Sequence, residues 1–255
     1  MSTPIENNTT ELQTILDAVN ALPSAGGVSN ADLKALLERT ITNITLPSDL
    51  TKIGDRAFSG CGQLELSSLP SGVTSIGAYS FNACSKLALT SLPSGLTSIG
   101  LGAFYCCENL ALTSLPDGLT SIEDDTFCCC YSLALTSLPA GLKSIGAWAF
   151  YYIDLPLTSL PDGLQSIGEG AFCDCDKVKF TSLPASLQRI DNHAFWDCAG
   201  LESITFEGTP NKIGSDVFDD CNNLTIINVP WAEGAVANAP WGATNATINY
   251  NYTGG

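Results

Sequence analysis

The sequence predicts a mainly β solenoid with short helical or 3-10 turns, in which the chain winds through about eight turns of about 23 residues. Two observations lead to this prediction. Apolar residues recur at a fixed phase along most of the chain, and proline and glycine recur in one local context. Because no single turn could bury its own apolar residues, the turns must stack into one continuous core.

Three apolar positions define the repeat. The first, followed by proline in most copies, recurs every 23 residues with one spacing of 22: Leu46, Leu69, Leu92, Leu115, Leu138, Leu160, Leu183, Phe206 and Val229. The second is always isoleucine: Ile53, Ile76, Ile99, Ile122, Ile145, Ile167, Ile190 and Ile213. The third lies five residues later and is always phenylalanine: Phe58, Phe81, Phe104, Phe127, Phe150, Phe172, Phe195 and Phe218. The single deletion falls between Phe150 and Leu160.

Each turn has a predicted internal order. A short strand such as Thr113–Pro116 pairs in parallel with its equivalents and ends at proline, which lacks the N–H for a further ladder bond. Leu-Pro-Asp-Gly or Leu-Pro-Ser-Gly then forms a type I turn. A second extended piece ends at the isoleucine, and the small residue before each phenylalanine favours a tight helical or 3-10 turn. The glycines that follow isoleucine are expected at a bend with positive φ: Gly54, Gly77, Gly100, Gly146, Gly168 and Gly214.

The chain divides into a helical N-terminal cap (residues 1–40), the solenoid (41–230) and a C-terminal cap or tail (231–255). Helical spacing of apolar residues predicts helices over Thr10–Ala21 and Ser29–Thr40. We expect Trp231 and Trp241 to cover the last turn. The alternation over Ala246–Tyr252 predicts a closing strand.

Charge excludes several classes of partner. The chain has 26 acidic and 10 basic residues, a net charge of −16, and no run of bases, which disfavours binding to nucleic acids or anionic membranes. No apolar stretch approaches the ~20 residues that span a bilayer, so membrane insertion is not expected. The polar segment Met1–Thr10 has no secretory-signal pattern. The chain therefore stays inside the cell, leaves by another route, or had its signal removed.

The repeated string Leu-Pro-Ser-Gly-Leu-Thr-Ser-Ile-Gly-x-x-Ala-Phe-x-x-Cys-x-x-Leu, best seen at residues 92–110, resembles the BspA-type leucine-rich repeat family. The resemblance extends over roughly residues 41–230 and implies an α/β leucine-rich-repeat solenoid. That family is mostly bacterial, with some members in protists, and is associated with cell-surface adhesion and binding of host proteins. The resemblance thus implies a cell-surface or secreted location, and it brings no catalytic residue set.

Seven cysteines lie three residues after the phenylalanine: Cys61, Cys84, Cys107, Cys130, Cys175, Cys198 and Cys221. In the repeat that contains the deletion, Ile153 takes this place, which indicates an apolar interior position filled by unreactive thiols. Four further cysteines lie near the same turns, at Cys106, Cys128, Cys129 and Cys173. Because no Cys-x-x-Cys pair with matching partners occurs, neither a dedicated zinc site nor any other cofactor is expected.

Two other groups invite a chemical interpretation. His193, with Asp191 and Asp197 nearby, could contribute to a catalytic site, but no serine is distinguished and a solvent-facing histidine is favoured. The acidic clusters Glu123–Asp125, Asp174–Asp176 and Asp219–Asp220 could attract calcium, but they lack a calcium-loop pattern and fit a solvated convex face.

One apolar row is the candidate binding stripe: Leu66, Leu89, Leu112, Leu135, Leu157 and Phe180. If Leu115 and Thr113 point inward, strand alternation turns Leu112 and Ser114 outward and exposes an apolar ridge. An exposed ridge of this kind would mark a protein-binding face. The alternative, which we favour, is a local bend that places Leu112 inside and leaves the threonines outside.

We therefore hypothesise a non-catalytic binding or adhesion protein that presents a repeat surface to a protein or glycan, for example a host extracellular one. A structural component of a phage tail or secreted appendage is the alternative. An enzyme is disfavoured, because no constellation of nucleophile, base and orienting group is apparent.

Overall fold

The computed structural model describes residues 39–254. Most of the predicted helical cap, residues 1–40, lies outside these residues. Within residues 39–254 the chain is a mainly β solenoid with eight repeating turns, and this part of the chain contains no helix. The predicted fold class is confirmed, except that the segment around each phenylalanine is a series of tight turns.

Most strands lie on one face, here called the Ser–Ile face. Each ends at the repeated isoleucine and pairs in parallel, isoleucine beside isoleucine, with its equivalent one turn away. The strands are β1 (Lys52–Ile53), β2 (Ser75–Ile76), β3 (Ser98–Ile99), β4 (Ser121–Ile122), β5 (Ser144–Ile145), β6 (Ser166–Ile167), β8 (Arg189–Ile190) and β10 (Lys212–Ile213). They form a sheet β1-β2-β3 and a sheet β4-β5-β6-β8-β10. The interruption coincides with Glu123, which replaces the usual glycine.

A second sheet lies on the Leu–Pro face, the face formed by the residues around each repeated leucine-proline pair. It has the order β7-β9-β11-β12. Its strands are β7 (Ser182–Leu183), β9 (Ser203–Phe206), β11 (Ile226–Asn228) and β12 (Thr247–Asn249). The predicted strand at Thr113–Pro116 is wrong, since the ladder starts only at β7. β9 and β11 are rich in β-branched residues and lack proline, so they suit a ladder better than the Thr-Ser-Leu-Pro of earlier turns.

The prediction of positive φ at the glycines after isoleucine is also wrong. In the eight repeats, positive φ occurs two residues before the phenylalanine in all but the last and two residues after it in all, as at Tyr79 and Ala83. Glycine is favoured here because adjacent turns approach closely: a Cβ at Gly100 would lie 2.6 Å from the Ala78 nitrogen. Asp191 keeps its N–H bond to the Ile167 carbonyl at 3.0 Å, so this position favours glycine without requiring it.

The core is a set of buried columns that run along the solenoid axis. The eight phenylalanine rings stack face to face, with neighbouring centroids 5.2–5.7 Å apart. Isoleucine, leucine and cysteine columns surround them. At the C-terminal end, Trp231 and Trp241 are buried and pack against Phe206, with centroids 5.2 and 5.8 Å away. β12 then adds a parallel strand beside β11.

Candidate functional site

The apolar row considered as a binding stripe is buried. Leu66 is 8% exposed, and the other members are at most 1% exposed: Leu89, Leu112, Leu135, Leu157 and Phe180. Leu112 and Leu115 both face the core, while Thr113 and Ser114 between them are exposed. The structure therefore contradicts the exposed ridge and has the bend that we favoured, because two leucines three residues apart can both reach the core only if the segment is not a flat strand.

The cysteine row lies in the core, and six of its seven thiols share one kind of hydrogen-bond partner. From the second cysteine onward, each Sγ donates to the carbonyl oxygen of the phenylalanine in the preceding turn, at 2.9–3.0 Å: Cys84, Cys107, Cys130, Cys175, Cys198 and Cys221. All eleven cysteines are free thiols. Burial raises the pKa of Cys61 to about 11 and that of Cys107 and Cys130 well above the usual value. These thiols stay protonated and hold neighbouring turns together.

His193 has no partners that suggest catalysis. Its side chain is half-buried and packs edge-on against Trp196 at 5.9 Å. Its backbone N–H donates to the Asp216 carbonyl at 3.2 Å, but within residues 39–254 no hydrogen bond joins its imidazole to a serine or aspartate. Asp191 instead accepts bonds from Arg189 and Lys212, both at 2.8 Å. Burial acts to raise the pKa of Asp191, but these bonds outweigh it and lower the pKa. In the same residue range, no three His, Cys, Asp or Glu side chains are arranged to hold a metal ion.

The most varied surface is the outer ridge, defined as the two residues that follow each phenylalanine. Its members are Ser59–Gly60, Asn82–Ala83, Tyr105–Cys106, Cys128–Cys129, Tyr151–Tyr152, Cys173–Asp174, Trp196–Asp197 and Asp219–Asp220. The second residue of each pair has positive φ and, in all but the last pair, donates its backbone N–H to the carbonyl of the first residue of the next pair, at 2.7–3.0 Å. Hydrogen bonds thus fix the ridge backbone while its side chains vary.

The deletion produces a concavity beside this ridge. In the other repeats the leucine or valine that ends the turn donates its N–H to the cysteine carbonyl three residues earlier, whereas Leu155 donates to Ile153, two residues earlier, at 3.0 Å. The loop at Asp154 is therefore one residue shorter than the loops on either side. A shallow pocket of about 290 Å³ lies here, and we call it the Tyr–Asp pocket; it is lined by Tyr131, Tyr152, Asp154, Asp174 and Asp176.

The two tyrosines form an exposed aromatic pair. Tyr131 is 52% exposed and Tyr152 is 54% exposed. Their rings meet edge to face, with centroids 6.0 Å apart and planes at 79°. A hydrogen bond with Cys129, together with partial burial, raises the pKa of Tyr131 to about 12, so this phenol is neutral at physiological pH.

Acidic side chains make the surroundings of the pocket electronegative. Burial and the carboxylates of Asp174, Asp176 and Asp220 raise the pKa of Asp197 above its usual value. Asp174 and Asp176 line the pocket itself. Lys177 is the basic residue nearest in sequence to Asp174 and Asp176, and its Nζ lies 2.7 Å from Asp154 Oδ2. The site thus offers aromatic rings and carboxylates side by side, which suits cationic groups.

Two larger concave surfaces have less distinctive chemistry. One, of about 460 Å³, lies on the Leu–Pro face of the first two turns of residues 39–254, and its lining mixes serine and threonine with leucine, isoleucine and proline. The other, of about 430 Å³, lies on the Ser–Ile face. It includes Arg189 and Asp191, which form an ion pair at 2.8 Å, so these charges are already satisfied within the fold. The Tyr–Asp pocket is therefore the candidate site.

Tyr131 and Tyr152 were not predicted as site residues, although two features of the sequence point to them. The spacing of 22 residues located the shortened loop. Tyr152 also occupies a ridge position where the first turns have Gly60 and Ala83. The acidic cluster Asp174–Asp176 was noticed but interpreted as solvated surface, because its proximity to the tyrosines of neighbouring turns depends on the stacking.

Comparison with solved structures identifies bacterial relatives of the fold. A leucine-rich repeat protein from Bacteroides ovatus is 26% identical with a TM-score of 0.59, and the match covers 83% of this chain and 61% of that one. A leucine rich cell surface protein from Faecalibacterium prausnitzii is 23% identical with a TM-score of 0.54, covering 78% and 62%. This chain therefore spans about three fifths of the length of either relative. Among curated proteins no relative was found.

The repeat family itself is identified by a direct match. Six copies of the BspA type leucine rich repeat region match residues 34–155 and 143–234, which together span most of the chain. The match covers every turn that carries the phenylalanine and cysteine columns and the outer ridge. The sequence resemblance is confirmed, and the chain belongs to the BspA-type leucine-rich repeat family.

Proposed function

We propose that this protein is a non-catalytic binding module that presents its outer ridge to a protein partner, with the Tyr–Asp pocket at the centre of the contact. The observation that carries the proposal is the pair Tyr131 and Tyr152, each about half exposed. Tyr152 lies on the outer ridge, whose backbone is fixed by inter-turn hydrogen bonds, and Tyr131 lies beside it. Tyrosine is enriched in the residues that dominate protein–protein binding energy, and a preorganised surface loses little entropy on binding.

Family membership supports this function. Leucine-rich repeats stack into extended surfaces that are widely used for binding. One relative of similar fold is described as a cell surface protein. For this chain we extend the proposal to adhesion at a cell surface, where the partner would be an extracellular protein.

The test is a capture experiment that compares the wild-type chain with a ridge variant. The purified chain is immobilised and exposed to extracellular matrix and mucosal extract, beside the double variant Tyr131→Ser/Tyr152→Ser. The matched control is Tyr252→Ser, which removes an exposed tyrosine from the C-terminal tail. Circular dichroism and melting temperature establish that all three chains are folded.

We expect the wild type and the control to recover the same protein and the ridge variant to lose it. Recovery that is equal for all three chains would place the contact elsewhere on the solenoid. Recovery of a mucin through its glycans, abolished by deglycosylation of the extract, would replace the protein partner with a glycan. Failure of the folded wild type to retain anything specific would contradict the binding function itself.

A further inference from the structure

We infer that the Tyr–Asp pocket binds the cationic side chain of a lysine or arginine in a basic segment of the partner protein. The inference rests on the proposed binding function and specifies its partner. It assigns a role to the one-residue deletion in the repeat array. It also explains why aromatic and acidic residues coincide on this part of the ridge.

The shape of the pocket suits a single side chain. Because the loop at Asp154 is one residue shorter than its neighbours, Tyr131 in the preceding turn and Asp176 in the following turn flank a gap above it. The pocket of about 290 Å³ is large enough for one side-chain head group and too small for a folded element. An extended segment that crosses the ridge could place one side chain in it.

The aromatic lining of the pocket favours a cation. Tyr131 and Tyr152 meet edge to face, so their ring planes are nearly perpendicular and form two adjoining walls. A cation within about 6 Å of a ring centroid is attracted by the negative face of the ring, and the attraction grows when the cation is partly desolvated. The phenol of Tyr131 is neutral and adds no charge to the pocket.

The lining of the pocket is negatively charged. Three of the five lining residues are aspartates, and none is basic. Burial, together with repulsion from the carboxylates of Asp174, Asp176 and Asp220, raises the pKa of the neighbouring Asp197. A bound cation relieves this repulsion. The net charge of −16 would also steer a basic partner toward the protein at low ionic strength.

The protein itself already places one cation at the edge of the pocket. Lys177 places its ammonium 2.7 Å from the Asp154 carboxylate, although both side chains are at least half exposed. The edge of the pocket thus already binds an ammonium group. An incoming lysine or arginine would compete with Lys177 for Asp154 and would have Asp174 and Asp176 as additional partners.

The experiment is isothermal titration calorimetry of the full chain with a capped tetralysine peptide at low salt. The matched ligand is the same peptide with every lysine acetylated, which keeps the length and removes the charge. The acidic variant is Asp174→Asn/Asp176→Asn. Its control is Asp117→Asn/Asp162→Asn, which makes the same charge change at exposed positions in two Leu-Pro-Asp-Gly turns.

We expect the wild type to bind tetralysine and not the acetylated peptide. Loss of both pocket carboxylates should weaken binding about tenfold, whereas the control pair should change it less than about threefold, because Coulomb attraction falls with distance and salt screens it. Tyr152→Ala should weaken binding roughly threefold and Tyr152→Phe should retain it, since the ring and not the hydroxyl attracts the cation. Lys177→Met should tighten binding about threefold by freeing Asp154.

Several results would overturn the inference. They are equal binding of the two peptides, equal weakening by the pocket and control pairs, or no binding of tetralysine by the folded wild type. The binding function has a separate outcome in the capture experiment. If the chain still recovers a partner through Tyr131 and Tyr152 while tetralysine fails, binding stands and the cationic specificity is wrong.

Discussion

In the interior of this solenoid the same residue recurs from turn to turn, whereas on the outer ridge almost every turn carries a different one. The interior positions are phenylalanine in all eight repeats and cysteine in all but one of them. The ridge changes from Ser59–Gly60 through Tyr151–Tyr152 to Asp219–Asp220. Both regions repeat the same backbone geometry, so the difference lies in what their side chains contact.

An interior side chain packs against its own equivalents in two neighbouring turns. Phe127 stacks on Phe104 and Phe150, each at 5.7 Å, so a change in one turn disturbs the packing of both neighbours. On the ridge, backbone hydrogen bonds join the turns, and every residue except Cys128 and Cys173 is at least partly exposed. Ridge residues can therefore differ without loss of the fold, which leaves their identity available for recognition.

The largest expected effect comes from breaking a central column. Phe127→Ala should lower the free energy of unfolding by about 3–5 kcal/mol, because it removes a fully buried ring between two others. Chemical denaturation measures the loss. Tyr131→Ala, on an exposed side chain four residues later, should stay within about 0.5 kcal/mol. A similar loss in both variants would contradict the distinction between column and surface.

The next effect separates two glycines by their surroundings. Gly100→Ala should destabilise the protein by about 1–3 kcal/mol, because its Cβ would lie 2.6 Å from the Ala78 nitrogen of the preceding turn. Gly95 has open space around its Cβ position, so Gly95→Ala should be neutral or stabilising by up to about 1 kcal/mol. Thermal melts of the two variants compare them directly, and equal destabilisation would show that turn spacing does not select glycine.

A smaller effect tests the cysteine column. Cys130→Ala should cost about 1–2 kcal/mol, since it leaves a small cavity and removes the bond from Sγ to the Phe104 carbonyl at 3.0 Å. Cys129→Ala is the adjacent control, because Cys129 is only half-buried and lies on the ridge. Urea unfolding of both variants measures the difference. If Cys130→Ala cost no more stability than Cys129→Ala, packing in the core would not explain why cysteine recurs at this position.

The smallest expected effect is on the ridge and depends on pH. The pKa of Asp197 is raised in the folded state, so folding favours the protonated carboxyl over the ionised one. The stability that the protonated carboxyl contributes is lost as the pH rises through that raised pKa. Asp197→Asn should therefore raise the melting temperature at pH 7 by roughly 1 °C. Below the pKa of the unfolded aspartate the two chains should melt together. A variant that melts lower at pH 7 would show that the ionised carboxylate is stabilising.

Much of the fold could be predicted because its signals are local and repeated. The phases of Ile122, Phe127 and Cys130 report burial directly, since only a stacked turn needs the same apolar residues every 23 positions. The position of the strands was less accessible. Thr113–Pro116 and Ser121–Ile122 both resemble short strands, and the parallel ladder forms at the second in that turn.

Only parts of the candidate site could be predicted from the sequence. The deletion and the acidic cluster were both visible, but Tyr131, Tyr152 and Asp174 belong to three successive turns. Only the stacking distance and the outward direction of each side chain bring them to one pocket.

The repeat, its phase and the residues that fill the core can be read from the sequence alone, because burial imposes a period on every stacked turn. The stacking of the turns sets which backbone positions adopt positive φ, favours glycine after the isoleucines, and places Leu112 inside and Tyr152 outside. These features depend on contacts between residues about 23 positions apart, where the neighbouring turn and not the local sequence sets the available space.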